Sequence, residues 1–178
     1  MFTKKCLIAI MLITAIFSAG CSEKTIDNST SATEITDEQK QEATDWNNKG
    51  VDLFIAGRYE EALKAYEKAV ELDPYNIYAW YNKGNTLSYI GRYDEALQAY
   101  NKMIELNPED ANAWNLRAGV LNNLGRYEES LESLDKALEI DPQYPVAWYG
   151  KATVLEKLGR NSEAQVCYEK ARELGYVN

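Results

Sequence analysis

The side chains able to do chemistry are bounded first by one that is missing. The chain of 178 residues contains no histidine, which removes the commonest general base and metal ligand together. Serine or cysteine nucleophiles activated by an imidazole are thereby excluded. Cys6, Cys21 and Cys167 fit no CxxC metal or redox spacing and support no disulfide framework. Carboxylates are plentiful, but runs such as Glu60-Glu61 and Glu128-Glu129 open amphipathic stretches, where negative charge meets the positive end of a helix dipole and a structural reason suffices. With no phosphate-cradling loop, metal cluster or nucleophile–base pair, the sequence predicts no enzyme, no catalytic residue, no metal and no cofactor. The net charge of −9 argues against nucleic acid, whose phosphates repel an acidic surface. What remains are groups that recognise rather than react. The stretch Ala79–Asn85, AWYNKGN, sets phenols and amides beside a glycine, although asparagine and glycine are weak helix formers.

The elements that must position these groups follow from a period. Trp46, Trp80, Trp114 and Trp148 are each 34 residues apart. Gly57, Gly91, Gly125 and Gly159, each followed by arginine, share the spacing, as do Tyr59, Tyr93 and Tyr127, and Pro74, Pro108 and Pro142. A repeat of this length means a stacked array rather than one closed core. Each unit carries two amphipathic stretches. In the second, the first runs from about Ile77 to Ile90, Gly91 suits the left-handed position after a helix, and YDEALQAYNKMIEL restarts the apolar period. Asn107-Pro108 ends it, because the residue before proline is pushed out of the α region. Pro145 fits the first turn of the last unit's first helix.

Trp80-x-x-Lys83-Gly84-x-x-Leu87, then Ala96-x-x-x-Tyr100, then Pro108, resembles the tetratricopeptide repeat signature. The resemblance implies an all-α solenoid of four tandem helix-turn-helix units, 43–76, 77–110, 111–144 and 145–178. Departures are Ala118 and Ala152 for the small residue, Leu134 for the later aromatic, and Asn161 and Tyr176 in the last unit. In this frame Gly50, Gly84, Ala118 and Ala152 let the two helices of a unit approach. Ala62, Ala96, Ser130 and Ala164 form the matching small face. Tyr66, Tyr100, Leu134 and Tyr168 fill the space between repeats, and Cys167 is a packing residue.

The resemblance also implies that the first helices line a concave groove. Carried onto this chain, the partner-binding candidates are Asn47 in the first unit and Tyr78, Tyr81, Asn82, Asn85 and Tyr89 in the second. The third supplies Asn112, Asn115 and Asn122, and the fourth supplies Tyr149. An asparagine amide donates and accepts, and so can pair with a peptide backbone in either direction; tyrosine gives rigid contact area with a polar tip. A merely solvated face would favour Glu and Lys, which are better helix formers. The leading expectation is an adaptor holding a protein or extended peptide. The clamp with which some relatives of this fold grip a C-terminal carboxylate needs lysines and an arginine. The corresponding residues are Asn47, Val51, Asn82, Asn112 and Leu116, or one unit later Tyr81, Asn85, Leu116, Val146 and Gly150, so that mode is not expected. The alternative is an envelope-assembly factor that self-associates through the last repeat, after which no solvating helix follows. Glu169, Lys170, Arg172 and Glu173 make that last helix polar.

Residues 1–20 read as a signal: Lys4 and Lys5, an apolar run from Cys6, then Ser18, Ala19 and Gly20. The uncharged run of 15 residues spans ~22 Å as a helix, short of the ~30 Å hydrocarbon core. SAGC resembles the lipobox of prokaryotic lipoproteins, which would make Cys21 the lipidated first residue of an exported, membrane-anchored protein; the other reading is a simply cleaved signal. Residues 21–42 read as a Ser/Thr-rich tether leading into the first helix. Asn28-Ser29-Thr30 matches a glycosylation acceptor pattern, one that also arises by chance.

Overall fold

Helix starts and stops in the computed structural model follow from local chemistry repeated every 34 residues. The structure describes residues 34–176. The signal segment, Cys21 and Asn28 lie outside the described residues. Within them the chain forms eight helices: α1 (Asp37–Ile55), α2 (Tyr59–Leu72), α3 (Ile77–Tyr89), α4 (Tyr93–Leu106), α5 (Ala111–Asn123), α6 (Tyr127–Ile140), α7 (Pro145–Lys157) and α8 (Asn161–Glu173).

α1 begins six residues ahead of the repeat boundary at 43, on a capping box in which Thr36 and Gln39 each bond the other's backbone N–H. Asn76 caps α3 by accepting from the Ala79 N–H, Asp110 caps α5, and Pro145 occupies the first turn of α7. Each first helix ends on a glycine with positive φ, Gly91 at 79° for α3; the left-handed conformation closes the helix at little steric cost only without a side chain. The second helices α2, α4, α6 and α8 have no side-chain cap. Instead Arg58, Arg92, Arg126 and Arg160 each grip the glutamate three residues on, through Nε and Nη2. The guanidinium holds each of these carboxyls below its usual pKa. The acidic pairs at helix starts thus have a structural use.

Each first helix packs on its own second helix, and each second helix packs on the next first helix. First helices also meet one another, α1 with α3 and α5 with α7, whereas second helices do not come together to that extent. The first helices therefore form the inner layer and the second helices the outer. The cross-links between units recur with the period. The indole N–H of Trp80, Trp114 and Trp148 donates to the carbonyl of Pro74, Pro108 and Pro142, each at 2.9 Å. Tryptophan and proline share a spacing because they are bonded to each other across the inter-repeat turn.

Packing inside a unit explains the glycine signature. A Cβ on Gly84 would lie 2.6 Å from Cε1 of Tyr100, and Gly50 is as closely covered by the ring of Tyr66. Both rings are almost wholly buried. Gly costs a helix interior about 1 kcal/mol relative to Ala, and burial of a tyrosine ring in the space it leaves offsets that. In the third unit Ala118 faces the smaller Leu134, and Ser130 donates to the Ala118 carbonyl at 2.8 Å. The fourth unit combines Ala152 with Tyr168, and that ring is only half-buried. It packs against Tyr149 with centroids 5.4 Å apart and donates its hydroxyl to Glu156. Cys167 is buried and unpaired, and burial raises its thiol pKa, as suits a packing residue.

Candidate functional site

The inner layer carries the candidate residues on one stripe of each first helix, at the i, i+3, i+4, i+7 spacing that shares a helix face. On α3 the stripe runs through Tyr78, Tyr81, Asn82, Asn85 and Tyr89. Tyr78 is 76% exposed and Tyr89 66% exposed. Tyr81 is half-buried against the core of the second unit. Tyr89 closes an aromatic cluster with Phe54 and Tyr59, its ring 5.6 Å and 5.0 Å from theirs. The hydrogen bond to Tyr89, ahead of burial, raises the pKa of Tyr59. Ile55, next to Phe54 at the end of α1, is 77% exposed; nothing in the sequence analysis singled it out.

Four of the asparagines have internal partners. Asn82 donates to Asn47 Oδ1 at 2.8 Å, joining α3 to α1, and Asn47 is 8% exposed. Tyr100 donates its hydroxyl to Asn85 Oδ1 at 2.7 Å, and Tyr144 donates to Asn112 Oδ1 at 3.1 Å. A buried amide needs such partners, so these poor helix formers do not by themselves require a second molecule. The premise that this face would be Glu- and Lys-rich if merely solvated fails for that reason: half of it is a junction between helices. Asn47, buried with its oxygen occupied, offers the least surface of the ten. The bonds of Asn85 and Asn112 run through Oδ1 and leave their amide N–H groups unused by them, and that of Asn82 uses its Nδ2 and leaves its oxygen.

The spacing of the inner layer varies with the side chains that face each other across it. Asn47 faces Asn82 and Asn115 faces Gly150, small residues at the two places where first helices meet. The equivalent pair between α3 and α5 is Tyr81 and Leu116, both packed on the core of the second unit, and these helices do not meet as closely. In the last unit Tyr149 stacks on Tyr176 at 4.5 Å as well as packing on Tyr168. The three rings bound a cleft of about 560 Å³ between α7 and α8, with Glu156 and Arg172 on its walls.

Tetratricopeptide repeat profiles match residues 43–76, 81–145 and 123–175. This chain belongs to the tetratricopeptide repeat family. The first match has the boundaries that the 34-residue period assigns to the first unit. Among solved structures, MamA 41-end from Desulfovibrio magneticus RS-1 is 24% identical, with a TM-score of 0.70 over 76% of this chain and 77% of that one. MamA AMB-1 is 26% identical, with a TM-score of 0.67 over 74% and 78%. The first tetratricopeptide repeat domain of Spaghetti (RPAP3), bound to the HSP90 peptide SRMEEVD, is 25% identical, with a TM-score of 0.64 over 67% of this chain and 95% of that one. No curated protein matches the sequence. The fold is accordingly an all-α tetratricopeptide repeat solenoid, an architecture that serves as a protein-interaction scaffold.

Proposed function

We propose that this protein is a membrane-tethered adaptor that holds an extended protein segment along the inner stripe of its first helices. The observation that carries this is the pair of exposed tyrosines, Tyr78 and Tyr89, flanking Asn82 and Asn85 on α3. The phenols supply contact area, and the amide N–H groups left over from internal bonding can donate to backbone carbonyls. The RPAP3 domain is bound to a peptide with consecutive glutamates and a final aspartate. The corresponding surface here lacks the basic residues for such a ligand, since Asn47, Val51, Asn82, Asn112 and Leu116 stand at the clamp positions and the chain carries −9 overall. The expected ligand is therefore uncharged or basic, and is contacted through its backbone and apolar side chains.

The tether rests on the order of residues 1–21, with Cys21 as the acylated residue and the repeats outside the cell membrane. One acyl chain binds only marginally, so stable anchoring takes more than one. Incorporation of labelled palmitate, lost in Cys21→Ser together with membrane association, tests it; unchanged labelling contradicts it. The groove is tested by affinity capture from membrane extract with Tyr78→Ala/Tyr89→Ala, with helical circular dichroism checking that loss of the Tyr89 contacts to Phe54 and Tyr59 leaves the fold in place. Loss of the captured protein with helical circular dichroism intact is expected, and undiminished capture defeats the assignment.

Self-association through the last repeat is a second reading, favoured by Val166, 63% exposed on α8, and by the tyrosine-lined cleft of the same unit. Against it, Gln165 and Arg172 stand where the other units place Leu63, Leu97 and Leu131, and Val70, Ile104 and Leu138. Light scattering over a range of concentrations separates the two, since only self-association makes the mass concentration-dependent.

A further inference from the structure

Four copies of one unit give every inner-face position three equivalents, and one junction departs from the rest. Asn82 fills the place opposite Asn47, while Tyr100 reaches from the outer layer to Asn85. One or two units later, the residues equivalent to Asn82, Asn85 and Tyr100 are Gly150, Gly119 and Leu134. Three side chains are shortened in one place. The result is a cavity of about 210 Å³ bounded by α5, α6 and α7. A Cβ on Gly119 would meet nothing within 4 Å, and one on Gly150 would lie 3.1 Å from Leu134 Cδ2. Leu134, Val154 and Ala118 make an apolar floor, and no charged side chain lines the space.

Two of its polar side chains are bonded internally, and one polar atom is left without a partner. Ser130 donates to the Ala118 carbonyl and Thr153 to the Gly150 carbonyl. Asn122 lines the cavity, and its Oδ1 is buried without a hydrogen-bond partner, alone in this among the buried side-chain atoms of the described residues. A buried acceptor without a partner is costly and calls for an explanation. The last torsion of an asparagine is broad, so the Asn122 amide can turn to offer its oxygen to a donor placed in the cavity that it lines. An apolar cavity of about 150 Å³ accommodates a benzene-sized group, and a charged group placed here would be unpaired.

We propose that this cavity is a side-chain subsite. It takes one apolar side chain, of leucine to phenylalanine size, from an extended polypeptide on the inner face, and Asn122 accepts that residue's backbone N–H. The inference rests on the adaptor reading and adds sequence preference to it: the inner face grips backbone around α3 and reads one side chain between α5 and α7.

The probes are N-acetyl-leucine N′-methylamide and its glycine counterpart, titrated into the ¹⁵N-labelled full chain. The leucine probe should shift the amide signals of Gly119, Gly150 and Thr153 and the side-chain amide of Asn122. Saturation is expected in the millimolar range that suits so small a ligand, with the glycine probe at least about tenfold weaker. Gly119→Leu, which fills the cavity from a position with open space, should abolish the response while helical circular dichroism is kept. Asn122→Ala should weaken it by about 2- to 10-fold. Equal response to both probes, an undiminished response in Gly119→Leu, or shifts centred on other residues overturn the proposal. Failure here with capture still lost in Tyr78→Ala/Tyr89→Ala removes the subsite alone. Capture unaffected by that pair removes the adaptor reading whatever the probes do.

Discussion

The second repeat and the junction of the third and fourth are built from the same template, yet one is filled and the other open. In the second, a glycine admits a tyrosine ring, the ring's hydroxyl reaches an asparagine on the inner face, and the space is closed. Later in the array the glycine is Ala118, the tyrosine is Leu134 and the asparagine is Gly119, and a cavity remains. The difference shows that inner-face contacts in this fold are chosen partly from the outer layer: the size of the residue on the second helix decides whether the first helix presents a filled surface or a pocket. The fourth unit makes the same point differently. Ala152 keeps Tyr168 from entering as Tyr66 and Tyr100 do, and the displaced ring joins Tyr149 at the surface.

The largest expected effect is from Tyr100→Ala, which empties the filled repeat and should cost about 3–5 kcal/mol in a urea titration. Gly84→Ala should cost about 1–3 kcal/mol, because overpacking against Tyr100 outweighs the better helix propensity. The same change in a Tyr100→Leu background, which copies the third unit, should cost less or stabilise. An equal cost in both backgrounds would break the comparison. Asn82→Ala leaves Asn47 Oδ1 buried without its donor and should cost about 1–3 kcal/mol, whereas Gly119→Ala adds a methyl to open space and should gain about 0.5–1 kcal/mol. The smallest effect is at high pH. Burial raises the phenol of Tyr100 above its usual range, and burial with the bond to Glu156 raises Tyr168 to about 12. Unfolded tyrosines ionise near ~10, so the protonated fold keeps its full stability below that value and loses it as pH rises through the folded pKa values. The urea midpoint should fall above about pH 10, and less steeply in Tyr168→Phe.

Much of the fold was legible because the period constrains it. The second helix of the second unit occupies Tyr93–Leu106 as its apolar spacing predicts, and the first stops at Tyr89, one residue before the predicted end. That Gly84 lets the second helix approach was also readable, since a glycine inside an amphipathic helix needs a packing reason; that the ring it admits is that of Tyr100, assigned from the repeat pattern to the space between repeats, was not. Bonds that join one period to another were not. The tie from Trp80 to the Pro74 carbonyl and the Asn47–Asn82 pair link residues whose types carry no mark of their partner. The cavity was hidden for a related reason: it exists because Gly119, Leu134 and Gly150 are small together, and each substitution by itself looks like ordinary drift from the repeat.

The central claim, that a partner lies along the inner face, is tested most directly by photo-crosslinking in the living cell. A photoreactive residue placed at Tyr78 on α3 should yield a discrete adduct with a second protein, and one at Gln98, exposed on α4 in the outer layer, should yield none. Adducts from Gln98 with none from Tyr78 would contradict the account.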